Sequence, residues 1–189
     1  MTPPPAPREP LDVDRIVDAA CTIIERDGVA GLSMRKLGRE LAVDPMAIYH
    51  HVPNKTALLA LATARTVANV DVPDTATEWD EWVRLWALRY WDIAADNRDL
   101  ILVGLSDREV GAGGLASATE LIEAIARGGV PDELCEPYAF VIVDAVHGSS
   151  LAVAALDERS ADRAHLRRLF EIGLDAIVAG IATRAASAR

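Results

Sequence analysis

Residues 32–59, LSMRKLGRELAVDPMAIYHHVPNKTALL, gather side chains suited to gripping a polyanion and reading its surface. Arg35 can fork onto a guanine edge or a phosphate. Met46 and Ala47, next to Pro45, are flexible or small apolar groups able to meet a thymine methyl. Tyr49, His50 and Lys55 can donate to phosphates flanking a groove, and Ser33 stands among them as a helix N-cap. Two short helices joined by a tight turn also describe an ordinary helical hairpin, so it is these side chains that favour a helix-turn-helix.

Bond-making chemistry finds no comparable grouping. The chain has four histidines, His50, His51, His147 and His165. Adjacent residues on a helix point roughly 100° apart, so His50 and His51 cannot chelate one ion together. No Gly-x-Ser-x-Gly elbow accompanies His147 or His165. Cys21 and Cys135 lie far apart without metal-ligand spacing and read as buried, reduced thiols. No catalytic residues, metal ions or cofactors are expected.

Binding of an organic molecule is the remaining chemistry. Trp79, Trp82, Trp86 and Tyr90 recur at i, i+3, i+7 and i+11, with Trp91 alongside. Such a stripe is either core or the wall of a ligand cavity, and Trp86 and Tyr90 are the candidates for the wall. Asp144 and His147, one turn apart in FVIVDAVHG, are polar groups on an apolar helix. If buried they must pair, with each other, across an interface or with a ligand; structural pairing is expected, and both stay candidates for ligand binding.

These residues need helices to carry them. After a Pro-rich leader, residues 1–10, that reads as disordered, Ile16, Val17, Ala20, Ile23 and Ile24 line one face of a helix starting near Asp12 or Asp14 and stopping at Gly28. A second helix follows Ser33. Asp44-Pro45 gives an N-cap followed by Pro at the first helical position, and that third helix ends near His51. Asn54 caps a fourth. Further helices are predicted over 76–95, 98–105, 113–128, 132–156 and 161–184, with 106–114 as a long flexible loop. No alternating strand pattern appears, so the fold class is all-α.

Charge is unevenly distributed along the chain's 189 residues. Residues 1–69 carry eight basic and eight acidic side chains, whereas residues 70–189 carry 11 and 21. The first part can face a polyanion and the second is repelled by one. The start, MTPPPAPREP, has no apolar signal core, and the longest greasy stretch is broken by Asp144, His147 and Gly148; a cytoplasmic protein is expected, with no membrane partner.

The pieces GLSMRKL, AIYHHV and NKTALL, in this order and spacing, resemble the DNA-binding domain of the tetracycline repressor family of bacterial regulators over residues 12–69. That resemblance implies a three-helix helix-turn-helix domain over 11–69, including a fourth, linking helix, and a larger helical effector-binding and dimerisation domain over 70–189. It assigns base contacts to Arg35, Pro45, Met46 and Ala47 and phosphate contacts to Tyr49, His50 and Lys55. Ala42 departs from the family's usual Gly in the inter-helix turn; a positive φ there would cost on the order of 1 kcal/mol. The aromatic stripe resembles the family's fifth helix, in which the positions of Trp86 and Tyr90 face the ligand. LVGLSDREVG lacks the histidine that holds a metal in the tetracycline-binding members, so metal-assisted binding is not implied and a flat or hydrophobic organic effector is.

Phe170, Leu174, Ile177 and Ile181 share a face of the last helix, and Gly148 and Ala152 are small residues on the one before. The resemblance makes these a four-helix interface of a homodimer, whose two-fold symmetry would match a palindromic operator read in the major groove. The expectation is a ligand-responsive repressor. The alternative is an all-helical small-molecule-binding protein or enzyme with a vestigial DNA-binding head.

Overall fold

The computed structural model describes residues 10–68, 70–73, 76, 78–153 and 160–187, apart from the side chains of 115–117 and 160–162. Every regular element among them is a helix: α1 (Val13–Gly31), α2 (Met34–Leu41), α3 (Pro45–Tyr49), α4 (Lys55–Val67), α5 (Trp79–Asp96), α6 (Arg98–Ser106), α7 (Arg108–Ala112), α8 (Leu115–Arg127), α9 (Asp132–Ala152) and α10 (Ser160–Ser187). The fold class is all-α, as the periodicity requires. Nine residues of the leader, Asn69 and the predicted end of the 132–156 helix lie outside the described residues.

Side-chain caps start the first four helices where the sequence places them. Asp12 accepts from Arg15 N, Ser33 from Lys36 N, Asp44 from Met46 N and Asn54 from Ala57 N, at 2.8 to 3.2 Å. Each cap satisfies one of the donors a helix start leaves open. The regular helix breaks at Gly28, as expected, although the span of α1 continues past it. Gly28 bends it, with φ 69° and ψ 171°, and helical hydrogen bonding resumes as far as Gly31. The segment 106–114, expected as a loop, contains α7 instead. Asp107 Oδ1 accepts from Glu109 N and caps that short turn, while Val110 is fully buried and anchors it.

Two apolar cores form. The first joins Ile16, Ile23, Leu37, Ile48, Val52, Leu58 and Ala62 of α1–α4, and it also takes Leu100 from α6 and Val110 from α7. The second is built on α5, whose Val83, Trp86, Ala87, Tyr90, Trp91 and Ala94 meet α8, α9 and α10. Helix α4 belongs to both: Leu58, Leu59 and Ala62 lie in the first core and Val67 in the second.

The face Phe170, Leu174 and Ile181, expected to meet a second subunit, lies inside the chain. Phe170 stacks on Trp91 at 6.4 Å between ring centroids, and all three side chains are at most 6% exposed. An apolar stripe on a terminal helix can serve either a neighbour within the chain or a partner, and α5 and α9 claim this one. Ile177 is half-buried against the same core. Gly148 and Ala152 do stand exposed, with open space where a Gly148 Cβ would point.

Candidate DNA-contact surface and effector cavity

Helices α2 and α3 are locked together by Leu37, Ile48 and Val52, each 0% exposed. The turn between them passes through Ala42 at φ 54°, the left-handed conformation expected of the family's Gly, and Val43 N donates to Gly38 O at 2.9 Å. Gly38 is required by close approach: a Cβ there would stand 3.0 Å from the Val43 carbonyl and 3.1 Å from the Pro45 ring. With Ile48 turned inward, α3 presents Met46, 64% exposed, and Tyr49, 42% exposed, outward together with His50. Pro45 and Ala47 are half-buried beside them.

The basic groups nearby divide into two kinds. Arg26 and Lys36 are engaged with Asp27 and Glu40. Arg35 and Arg39 are exposed and make no ion pair among the described residues, leaving both guanidinium groups available. Arg39, four residues after Arg35 and so on the same face of α2, is a candidate contact that the sequence reading did not single out. Lys55 is half-buried and donates to the carbonyls of Leu32 and Val29 at 2.7 and 3.2 Å, so it also ties the start of α4 to the end of α1.

In the body, α4, α5, α6, α7, α8 and α9 enclose a cavity of ≈190 Å³. Trp86, Tyr90, Asp144 and His147, the four candidates from the sequence, all line it. Thr63 and Val67 of α4, Ile101 and Leu105 of α6, Gly111 of α7 and Phe140 of α9 line it too. The apolar ones among them do not stand out in the sequence, because an apolar side chain on a helix looks the same whether it faces a core or a cavity. Thr63, a buried polar residue whose hydroxyl donates back to Leu59 O, was the one signal available.

Of the two polar groups expected to pair if buried, His147 does so within the chain and Asp144 is not buried. His147 Nε2 is hydrogen-bonded to the Tyr90 hydroxyl at 2.6 Å, ring edge to face, while Asp144 is exposed at the cavity mouth with Leu105 and Phe140. On α9, positions 144 and 147 face the cavity side by side, and the Tyr90 hydroxyl reaches His147 from α5. Burial keeps both partners of that bond uncharged: it pushes the Tyr90 phenol up and the His147 imidazole down, against a smaller opposing pull from Asp144. Trp86 packs on Tyr90 at 5.1 Å, and its buried Nε1 has no hydrogen-bond partner among the described residues. Trp91 instead donates to Ser149 Oγ at 3.1 Å and belongs to the core. Trp79 packs on Gly128 and Trp82 lies under Arg127, so these two leave the cavity altogether. Among the described residues no cluster of His, Cys, Asp or Glu could hold a metal ion.

Residues 16–62 match the family model described as bacterial regulatory proteins, tetR family. Over that segment the chain is similar to members of that family. Over 63 residues the chain is 41% identical to the HTH-type transcriptional repressor DrrR1 of Streptomyces coeruleorubidus, covering 33% of this chain and 23% of that protein. It is 29% identical over 101 residues to the tetracycline repressor protein class D of Escherichia coli, covering 52% and 46%. The matched segments thus span less than half of these relatives. In structure the likeness extends over nearly the whole chain. Apo ActR from Streptomyces coelicolor superposes with a TM-score of 0.78 at 25% identity, covering 96% of this chain and 99% of that one. ActR in complex with actinorhodin gives 0.75 at 26%, covering 94% and 99%. No helix among the described residues is long and apolar enough to cross a membrane.

Proposed function

We propose that the protein is a ligand-responsive transcriptional repressor of the cytoplasm, with no enzymatic activity. It binds a palindromic operator as a homodimer and is released by a small organic effector. Residues 11–69 form the DNA-binding unit and 70–189 the effector and dimerisation unit. Arg35, Pro45, Met46 and Ala47 read base edges, and Ser33, Tyr49, His50 and Lys55 hold the backbone. The effector sits against Trp86, Tyr90, Asp144 and His147.

One observation carries this reading. Helix α4 borders both sites: its first residue, Lys55, ties it to the head, and its last turns, through Thr63 and Val67, form the cavity wall. A molecule in the cavity touches the same rigid rod that positions the head. A rod has few ways to absorb a displacement, so the push emerges as a change in head position. Two recognition helices must stand about 34–36 Å apart to enter successive major grooves, and an effector that prefers another spacing a hundredfold shifts the equilibrium by about 2.7 kcal/mol. The complex of ActR with actinorhodin supports a small-molecule effector.

With Phe170, Leu174 and Ile181 buried within the chain, the proposed dimer surface falls on the outward face of α10. That face carries Leu169, 51% exposed, and Ile172, 57% exposed, in line with Gly173 and Gly180, which face open space. On α9, Val141, Gly148 and Ala152 form a second exposed strip, separate from the cavity side. Exposed apolar side chains flanked by small residues let two helix pairs approach closely.

Fluorescence anisotropy with DNA flanking the protein's own gene tests the proposal. Site-specific binding reversed by a compound that also quenches tryptophan emission is the expected result. Absence of specific binding at low salt would favour the small-molecule-binding alternative.

A further inference from the structure

The chemical class of the effector follows from the charge of the cavity, given that the cavity is the effector site. Among the described lining residues there is no Lys or Arg. Tyr90 and His147 Nε2 hydrogen-bond one another at 2.6 Å, the Thr63 hydroxyl is spent on Leu59 O, and Trp86 Nε1, without a partner among the described residues, is a neutral donor that carries no charge for an anion. That leaves Asp144 as the one carboxylate in the lining, exposed at the mouth and without an ion pair or hydrogen bond among the described residues. Behind it stand the faces of Trp86 and Tyr90, with Phe140 at the rim. An anion entering here would lose hydration without gaining a positive partner. It would also approach a carboxylate inside a domain whose 70–189 segment carries 21 acidic and 11 basic residues.

We propose that the cavity takes an amphipathic organic cation, with its apolar body against Trp86 and Tyr90 and its ammonium or amidinium group at the mouth beside Asp144. The carboxylate supplies the charge partner and the aromatic faces add attraction for a cation within about 6 Å. The small volume favours a compact body, since drug-sized sites run to roughly 300–1,000 Å³.

Three naphthalene probes of matched shape separate charge from hydrophobicity: 1-naphthylmethylamine, 1-naphthalenemethanol and 1-naphthoate, titrated calorimetrically into the full chain. The amine should bind about fivefold more tightly than the alcohol, the size expected of one partly exposed ion pair, and the carboxylate more weakly than either. Asp144→Asn should remove the amine's advantage and leave the alcohol unchanged. Raising the ionic strength from about 0.1 to about 1 M should shrink the same advantage. If the carboxylate binds as well as the amine, or Asp144→Asn preserves the amine's preference, the charge assignment is overturned. Ala118→Phe, which fills the cavity, and Leu105→Trp, which crowds its exposed mouth without disturbing the core, locate the binding. Where these variants abolish binding but the charge order is inverted, the effector site stands and only the assignment falls. Where no probe binds, or binding survives both variants, site and assignment fall together.

Discussion

At the scale of single residues, the head and the cavity answer to different measurements. Arg35 and Met46 are exposed and unpaired, so Arg35→Ala and Met46→Ala are expected to change the ranking of operator variants by about 1–3 kcal/mol at the bases they meet. Tyr49→Phe removes one hydroxyl from a 42% exposed ring and should weaken all operators alike; anisotropy against a panel of single-base variants distinguishes the two patterns. Ala42 at φ 54° holds strain that a glycine would not. Ala42→Gly should therefore stabilise the chain by up to about 1 kcal/mol in urea unfolding, the strain relieved exceeding the greater freedom of the unfolded glycine; a destabilised variant would show the strain to be the smaller of the two. His147 gives a pH signature. Its imidazole is held below the ordinary range by burial, so as pH falls through about 6.5 the unfolded chain takes up a proton that the folded chain refuses, and stability drops until the folded-state pKa is passed. His147→Phe should flatten the melting temperature against pH in that window, and an unchanged slope would assign the effect to another group.

At the scale of elements, the proposed path from cavity to head would run through close backbone contacts. Helix α7 lies so close to α4 that a Cβ on Gly113 would fall on the Ala60 carbonyl oxygen, and one on Gly111 would stand 2.5 Å from the Gly104 carbonyl of α6. Gly113→Ala must push α7 off α4 and is expected to lower effector-driven release several-fold, with a smaller effect on operator binding without effector. Equal losses in both would mean that α7 supports the fold and does not carry the signal. The sequence made the head legible down to its caps, because Ser33, Asp44-Pro45 and Asn54 act through hydrogen bonds two or three residues away. It failed where the deciding contact was distant. Asp107 and Val110 turn a Gly-rich stretch into α7 only because Val110 finds the head core. His147 pairs within the chain as its burial requires, but its partner, Tyr90, lies 57 residues away and could not be named from the sequence. The four cavity residues named from sequence do line one cavity, since Trp, Tyr, Asp and His stand out on apolar helices; Val67, Ile101 and Leu105 do not.

At the scale of the whole molecule, the two sides of α10 separate folding from assembly. Leu174 is 1% exposed and packs in the body core, whereas Ile172, two residues earlier and 57% exposed, faces away from it. Both are aliphatic, so sequence hydrophobicity treats them alike, and their burial does not. A glutamate at 174 would bury an unpaired charge and should unfold the body, at a cost of several kcal/mol. A glutamate at 172 costs the protomer little, but in a two-fold interface it meets its symmetry mate or an apolar partner surface, and the repulsion acts in both copies at once. Ile172→Glu is therefore expected to keep the helical circular dichroism and melting transition of a folded protomer while sedimenting as a monomer at micromolar concentration. Because a monomer presents one recognition helix to a half-site, its operator affinity should fall by orders of magnitude while the naphthalene probes still bind. A dimeric Ile172→Glu with intact operator binding would move the association surface to another face of the molecule.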